Sequence, residues 1–328
     1  MQTTAFLGVA HIHTPGFIST INKRPDVQAK LVYDHNSTRG EKRAAELGAQ
    51  FTPDIDAVLQ NPEVTSVVIC SETKFHAELV PRAVAAGKNL FVEKPLSNSV
   101  EEADAMQQSI EKAGLVFQTG FFLRSSPTVR FLKQEIEAGN LGTITRMRYT
   151  NCHSGALGGW FDEEWRWIAD KELAGGGGFA DLGAHALDIV LWALRSTCGS
   201  VQHVAGMVGT ATKRYGDIDE YGAGLLQFQS GAIGEVEASW VDPKLSAPIE
   251  VNGNKGQIQV RDGKVFYYSE LVEGADGGEW SKLPSGGPHA FELFWDKLEG
   301  KELAVPLVTI DEAGEEARVM ARLYQSLR

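Results

Sequence analysis

Short apolar runs alternate with amphipathic stretches over the first third of the chain. TAFLGV (4–9) reads as a buried strand, and a helical run follows it into Ile21. AKLVYD (29–34) predicts a second strand and TRGEKRAAELG a helix closed by Gly48. VTSVVIC (64–70) is a third strand; FHAELVPRAVAAG is a helix that ends at Gly87 and is weakened or bent by Pro81. NLFVE predicts the next strand. Ser99 with Glu102 has the spacing of a capping box for a helix through Lys112, and LVFQTGF follows as another strand. Strands alternating with helices of this length mean βαβ units and a doubly wound parallel sheet, assigned to residues 1–121.

After Phe122 the pattern changes. PTVRFLKQEIEAG is one more helix, followed by TITRMRYTNC, VQHVAGMVG, GAGLLQFQSG, GAIGEVEASWV, IEVNG, GQIQV and KVFYYSE, with Gly, Asn and Asp at the joints as in hairpins. These runs predict a large, open, mostly antiparallel sheet in an α+β domain over residues 122–328. The helix LGAHALDIVLWAL interrupts it. The run from Asp311 to Tyr324 is amphipathic, with Thr309 and Glu312 as its capping box, and is placed as a helix that packs back on the first domain.

Composition narrows the function. With 328 residues, 43% of them hydrophobic, two domains with sizeable cores are expected. A net charge of -12 argues against nucleic acid or an anionic membrane surface as partner. No apolar run reaches the ~18 residues of a membrane span, and MQTTAFLGVA lacks the basic start and small-residue cleavage site of a signal peptide. Cys70, Cys152 and Cys198 lack ligand-like spacing and are read as buried free thiols in a reducing cytoplasm.

FLGVAHIHTPG ends the first strand where a dinucleotide fingerprint would stand. Gly8 fits the first glycine, while Ala10 and His13 occupy the second and third positions. Alanine still permits close backbone approach, and the helix that follows offers free N–H groups to an anion. Asp34 ends the second strand, where the fingerprint's acidic residue bonds the adenosine ribose. A carboxylate there repels a 2′-phosphate, so NAD is favoured over NADP; Arg39 nearby partly offsets that repulsion. His11 and His13 form an H-x-H, read as loop packing or cofactor contact, with no metal assigned because no third ligand is placed beside them.

Candidate catalysis rests on two segments. In LFVEKPLSNSV, Lys94 stands at the carboxyl end of a parallel strand, where ligands of doubly wound sheets bind. Its ammonium can stabilise a developing oxyanion, and Pro95 fixes the exit, with a cis bond open to it. In AGGGGFADLGAHALDIVLWAL, Asp181 and His185 are four apart and share a face if both are helical. Gly175 to Gly178 are read as allowing close approach to a ligand. An imidazole with an ordinary pKa near ~6.5 suits a general base, with the carboxylate as orienter.

These segments resemble the glucose–fructose oxidoreductase / inositol 2-dehydrogenase / rhizopine-catabolism (Gfo/Idh/MocA) family. AGKNLFVEKPLS resembles its E-K-P segment, GGGGFADLGAHALDIVLWAL its D-x-x-x-H segment, and GFFLRSSPTVRFLKQEIEAGNLG its domain-crossing region. The resemblance covers nearly the whole chain. It implies a Rossmann domain, an open-sheet substrate domain, bound NAD or NADP, and oxidation or reduction of sugars, cyclitols and related polyols. The family's lysine, carboxylate and histidine correspond to Lys94, Asp181 and His185. CSETKFH matches the loop that passes the cofactor, which places Ser71, Thr73 and His76 near it, with Glu93. Phe122 departs from the polar residue that many members carry. His153, Trp165 and Arg166 are expected at the substrate, with Trp160 and Trp167 as further flat faces; core or interface anchoring is the other reading of each tryptophan. A homo-oligomer, dimer or tetramer, is expected through the uncovered sheet face. The alternatives are NAD-assisted glycoside cleavage through transient oxidation, and a non-catalytic nucleotide sensor, which the presence of all three catalytic groups disfavours.

Overall fold

In the first unit, β1 (Gln2–Val9), α1 (Thr14–Lys23), β2 (Val27–Tyr33), α2 (Ser37–Leu47), β3 (Gln50–Thr52), α3 (Ile55–Leu59), β4 (Ser66–Cys70), α4 (His76–Ala85), β5 (Asn89–Val92), α5 (Val100–Ala113) and β6 (Phe117–Thr119) follow one another in a computed structural model that describes residues 1–326. The six strands are ordered β3-β2-β1-β4-β5-β6, every pair parallel. This is the doubly wound order that reverses at β1/β4, where such sheets bind ligands. Local chemistry sets the ends. Asn36 caps α2 by accepting from Arg39 N, and Gly48 closes it at φ 63°. Pro81 sits inside α4 without ending it. The box at Ser99 is half formed. Ser99 accepts from Glu102 N, but the Glu102 carboxylate bonds the Ser97 hydroxyl at 2.6 Å, and that hydroxyl accepts from Ser99 N.

Residues far along the chain complete this unit, which comprises Met1–Phe122, Asp162–Gly175 and Pro288–Ala317. α7 (Lys171–Ala174) lies in its middle segment. α9 (Ala290–Leu298), which the polarity pattern did not reveal, fills the core: Phe291, Phe294 and Trp295 are fully buried, and Phe291 stacks on Phe17 at 4.3 Å between ring centres. Each such ring contributes roughly 1.5–3 kcal/mol by leaving water.

The second unit comprises Leu123–Phe161, Gly176–Gly287 and a last segment from Arg318. It holds α6 (Pro127–Glu137), β7 (Ile144–Cys152), α8 (Gly178–Cys198), β8 (Val201–Gly209), β9 (Tyr221–Phe228), β10 (Ile233–Ser239), β11 (Ile249–Gly253), β12 (Gly256–Arg261), β13 (Lys264–Ser269) and β14 (Asp276–Glu279). The eight strands form one sheet, β14-β13-β12-β11-β7-β10-β9-β8. All its pairs are antiparallel except β7 with β10. α8 packs on one face against β7, β9 and β10. The other face exposes Met207, Tyr221 and Leu225. Contrary to the sequence expectation, one stretch, Lys171–Cys198, is long and apolar enough to cross a membrane by length and composition. Of its most apolar eighteen-residue window, 89% is buried inside the protein, as in a core helix. α10 (Ile310–Gln325) has the reciprocal capping box expected at its start: Thr309 N donates to Glu312 Oε2 and Glu312 N to Thr309 Oγ1.

Candidate active site

The loop after β1 is built by close packing. Gly8 has φ 81°, and a Cβ there would lie 2.4 Å from the Ser71 Cβ, so only glycine fits. Ala10 and His11 are buried, and His11 N donates to Cys70 O at 2.9 Å, which fastens the loop to the end of β4. Trp167 is buried and donates Nε1–H to Ala10 O at 2.9 Å. It therefore anchors the 162–175 segment on this loop instead of offering a sugar-stacking face. α1 has no side-chain cap, and Pro15 stands in its first turn, so its leading N–H groups suit an anion.

Asp34, just beyond β2, is saturated with donors. It accepts from Val9 N at 2.8 Å, Asn36 N at 2.8 Å, Arg39 Nε at 3.0 Å and Arg39 Nη2 at 2.8 Å. Burial opposes the charge on Arg39, but Asp34 and Glu72 outweigh it and raise its pKa above the ordinary value.

At the end of β5, Glu93 is fully buried. His13 Nδ1 lies 3.0 Å and His11 Nδ1 3.9 Å from its Oε1, and Lys94 N donates to Oε2 at 2.7 Å. Burial would raise this carboxyl; His11, His13 and Lys94 outweigh it and hold the group well below the usual carboxylate range. The H-x-H motif thus does have a third donor beside it, with ligand atoms of His11, His13 and Glu93 within 4.8 Å of one another. The sequence missed it because Glu93 is eighty residues away along the chain. Gly120 presses on the same carboxylate, where a Cβ would lie 2.5 Å from Oε2. Lys94 is buried and the Lys94–Pro95 bond is cis. Ser71 and Thr73 are buried in the loop after β4 and His76 at the start of α4, where its Nδ1 donates to Leu96 O at 3.2 Å. Phe122 stacks on His289 at 5.2 Å and meets the His13 ring edge-on at 6.4 Å. These three rings line a cavity of about 480 Å³ with Ile12, Gly16 and Phe17.

In the second unit, Asp181 and His185 lie four apart on α8, with His185 buried and Asp181 half-buried. The fully buried Trp240 donates Nε1–H to Asp181 Oδ2 at 2.9 Å. The preceding glycines make close approaches, but to the protein's own chain: Cβ atoms on Gly177 and Gly178 would lie 1.9 Å from Asp219 O and 2.2 Å from Glu220 O. Asp219 caps α8 from a distance, accepting from Gly177 N at 2.9 Å and Phe179 N at 3.0 Å, and also from Tyr324 OH at 3.0 Å. Burial raises its pKa above the ordinary carboxylate value. Of the expected substrate contacts, His153 belongs to the second unit and its Nδ1 accepts from Gly155 N at 2.9 Å. Trp165 and Arg166 belong to the first; Trp165 is half-buried, and exposed Arg166 donates to Ala169 O at 2.8 Å. Asp219, Trp240 and Glu72 carried no local signal, since their partners are distant in sequence.

Residues 3–121 match the family described as "Oxidoreductase family, NAD-binding Rossmann fold", and residues 129–259 match the "GFO/IDH/MocA C-terminal domain". Scyllo-inositol 2-dehydrogenase (NAD(+)) of Bacillus subtilis (strain 168) is 29% identical over 301 residues, 90% of this chain and 83% of that protein. Levoglucosan dehydrogenase of Pseudarthrobacter phenanthrenivorans is 27% identical over 266 residues, 74% of this chain and 66% of that protein. Among solved structures, GenD2 from gentamicin A biosynthesis in complex with NAD is similar with a TM-score of 0.81 and 25% identity, over 99% of this chain and 94% of that one. With its N-terminal and C-terminal domains both matched, the chain belongs to the Gfo/Idh/MocA family of oxidoreductases.

Proposed function

We propose that the protein is an NAD-dependent dehydrogenase acting on a secondary alcohol of a sugar, cyclitol or related polyol. The observation that carries this reading is the Asp181/His185 pair on α8, with Asp181 fixed by Trp240, in a chain whose β5 ends on Glu93-Lys94. The named relatives act on an inositol and on levoglucosan, which supports the substrate class. The first unit fits a dinucleotide: an uncapped α1, the Gly8 turn, Asp34 at the end of β2, and a buried Glu72 oxygen without a donor. NAD, when bound, supplies the hydride acceptor. Gly8, Ala10, His11 and His13 line the loop that holds its phosphates, and Ser71, Thr73, His76 and Glu93 support the remaining wall.

His185 takes the hydroxyl proton as general base, and Lys94 steadies the substrate oxygen. Asp181, with Oδ2 engaged by Trp240, orients the imidazole or binds a neighbouring hydroxyl. His153, Trp165 and Arg166 are assigned to recognition of the remaining hydroxyls. The buried, free state of Cys70, Cys152 and Cys198 supports a reducing cytoplasm as the working compartment. The exposed apolar side chains Met207, Tyr221 and Leu225 support pairing of copies through the uncovered sheet face.

The test is a panel of inositols, sugars and glycosides assayed by NADH absorbance. A substrate should give net NADH, and His185→Ala should lower kcat by about 10²–10⁴-fold. Undiminished turnover in that variant removes His185 from the base role. Release of an aglycone without net NADH would point to glycoside cleavage instead.

A further inference from the structure

Two buried carboxylates share one guanidinium at the adenosine end of the first sheet. Glu72 stands two residues past the end of β4 and is 3% exposed. Its Oε1 accepts from Arg39 Nη2 at 3.0 Å and faces His35 Nε2 at 3.5 Å. Its Oε2 is buried and has no hydrogen-bond partner. Asp34 differs: all of its acceptor positions are filled, two by backbone N–H groups and two by Arg39. The same nitrogen, Nη2, bonds both carboxylates, so Glu72 Oε1 lies one guanidinium nitrogen away from Asp34. Arg39 is 14% exposed and held in a bidentate grip; His35 is 46% exposed and lies 4.9 Å from the Phe75 ring.

A buried carboxylate oxygen without a donor is costly, so a ligand that brings a donor to it gains affinity. A ribose 2′-hydroxyl brings a donor. A 2′-phosphate brings acceptors and more negative charge. The cation that would grip such a phosphate, Arg39, is already spent on the two carboxylates, which between them outnumber it.

We propose that Glu72 is a specificity-determining residue of the dinucleotide site: Oε2 accepts a hydrogen bond from an adenosine ribose hydroxyl, and Oε1 holds Arg39 away from a 2′-phosphate. NAD is thereby selected by two carboxylates, of which Asp34 alone was legible in the sequence. The inference rests on the dinucleotide reading of the first unit but not on the substrate or the reaction.

The experiment measures dissociation constants of NADH and NADPH for the full chain by fluorescence titration, without substrate, alongside thermal melting. The ratio of the NADPH to the NADH constant should fall by about tenfold or more in Glu72→Gln. Glu72→Asp, which keeps the charge, should restore most of the parent ratio. Against an Arg39→Met background, Glu72→Gln should move the ratio by less than about threefold, because the freed guanidinium is missing. A change below about threefold in Glu72→Gln with intact melting, or an equal gain with and without Arg39, overturns the proposal. Should Glu72→Gln fail to fold, Arg39→Met alone decides: a ratio raised more than about tenfold would mean that Arg39 already serves the 2′-phosphate, which also overturns it. Binding of neither dinucleotide by the parent protein would instead strike the dinucleotide reading itself.

Discussion

Asp34 and Glu93 both stand just past the ends of parallel strands, and both are buried, at 1% and 0% exposure, but the groups that balance them differ in kind. Asp34 shares with Glu72 a guanidinium that keeps its proton throughout the accessible pH range. Glu93 is ringed by His11, His13 and Lys94, two imidazoles and an ammonium. One end thus sets two carboxylates against a shared guanidinium, and the other gathers two imidazoles and an ammonium around a single carboxylate.

The contrast can be broken most forcefully at Arg39. Arg39→Met leaves Asp34 and Glu72 buried without their cation, and the expected loss is about 3 kcal/mol of stability in urea unfolding. A loss below about 1 kcal/mol would place Arg39 among ordinary surface ion pairs. At the other end, Gly120→Ala pushes a methyl into the Glu93 carboxylate, which cannot retreat because it is fully buried and bonded on both oxygens. About 2 kcal/mol of destabilisation is expected. An unchanged melting temperature would show that the carboxylate has room to move.

The smallest effect separates the two ends by pH. Burial lowers the pKa of His76 below the ordinary imidazole value of 6.5, so the unfolded chain takes up this proton first. Its contribution to stability is complete above pH 6.5 and is lost as the pH falls below that value. Glu93, with a lowered native pKa, adds loss in the same direction only below its ordinary 4.5. The melting temperature should therefore drop between pH 7 and pH 5, and His76→Gln should flatten that slope. An equal slope in the variant would assign it to other groups.

Much of the fold was legible because its signals are local. Strand alternation gave the parallel sheet, and Thr309 with Glu312 gave the start of α10. The helix α9 carries its apolar residues Phe291, Phe294, Trp295 and Leu298 at helical spacing, but it is only nine residues long and stands between stretches without helix or strand, and it was missed. Gly177 and Gly178 were read as room for a ligand, whereas the space is taken by the Asp219–Glu220 backbone. The candidate site divides in the same way. Lys94, Asp181 and His185 sit in short, recognisable segments. Glu72, Trp240 and Asp219 owe their importance to partners that only folding brings near.

Asp219 caps α8 across forty residues of chain. Until β9 has joined its sheet, the leading turn of α8 lacks the carboxylate that ties it down, and Asp181 also lacks the indole that arrives with residue 240. A chain emerging from the ribosome therefore carries the Asp181/His185 helix long before that helix is anchored. The carboxylate for the first turn of α8 and the indole for Asp181 become available only once the segment holding Asp219 and Trp240 has been made and has docked.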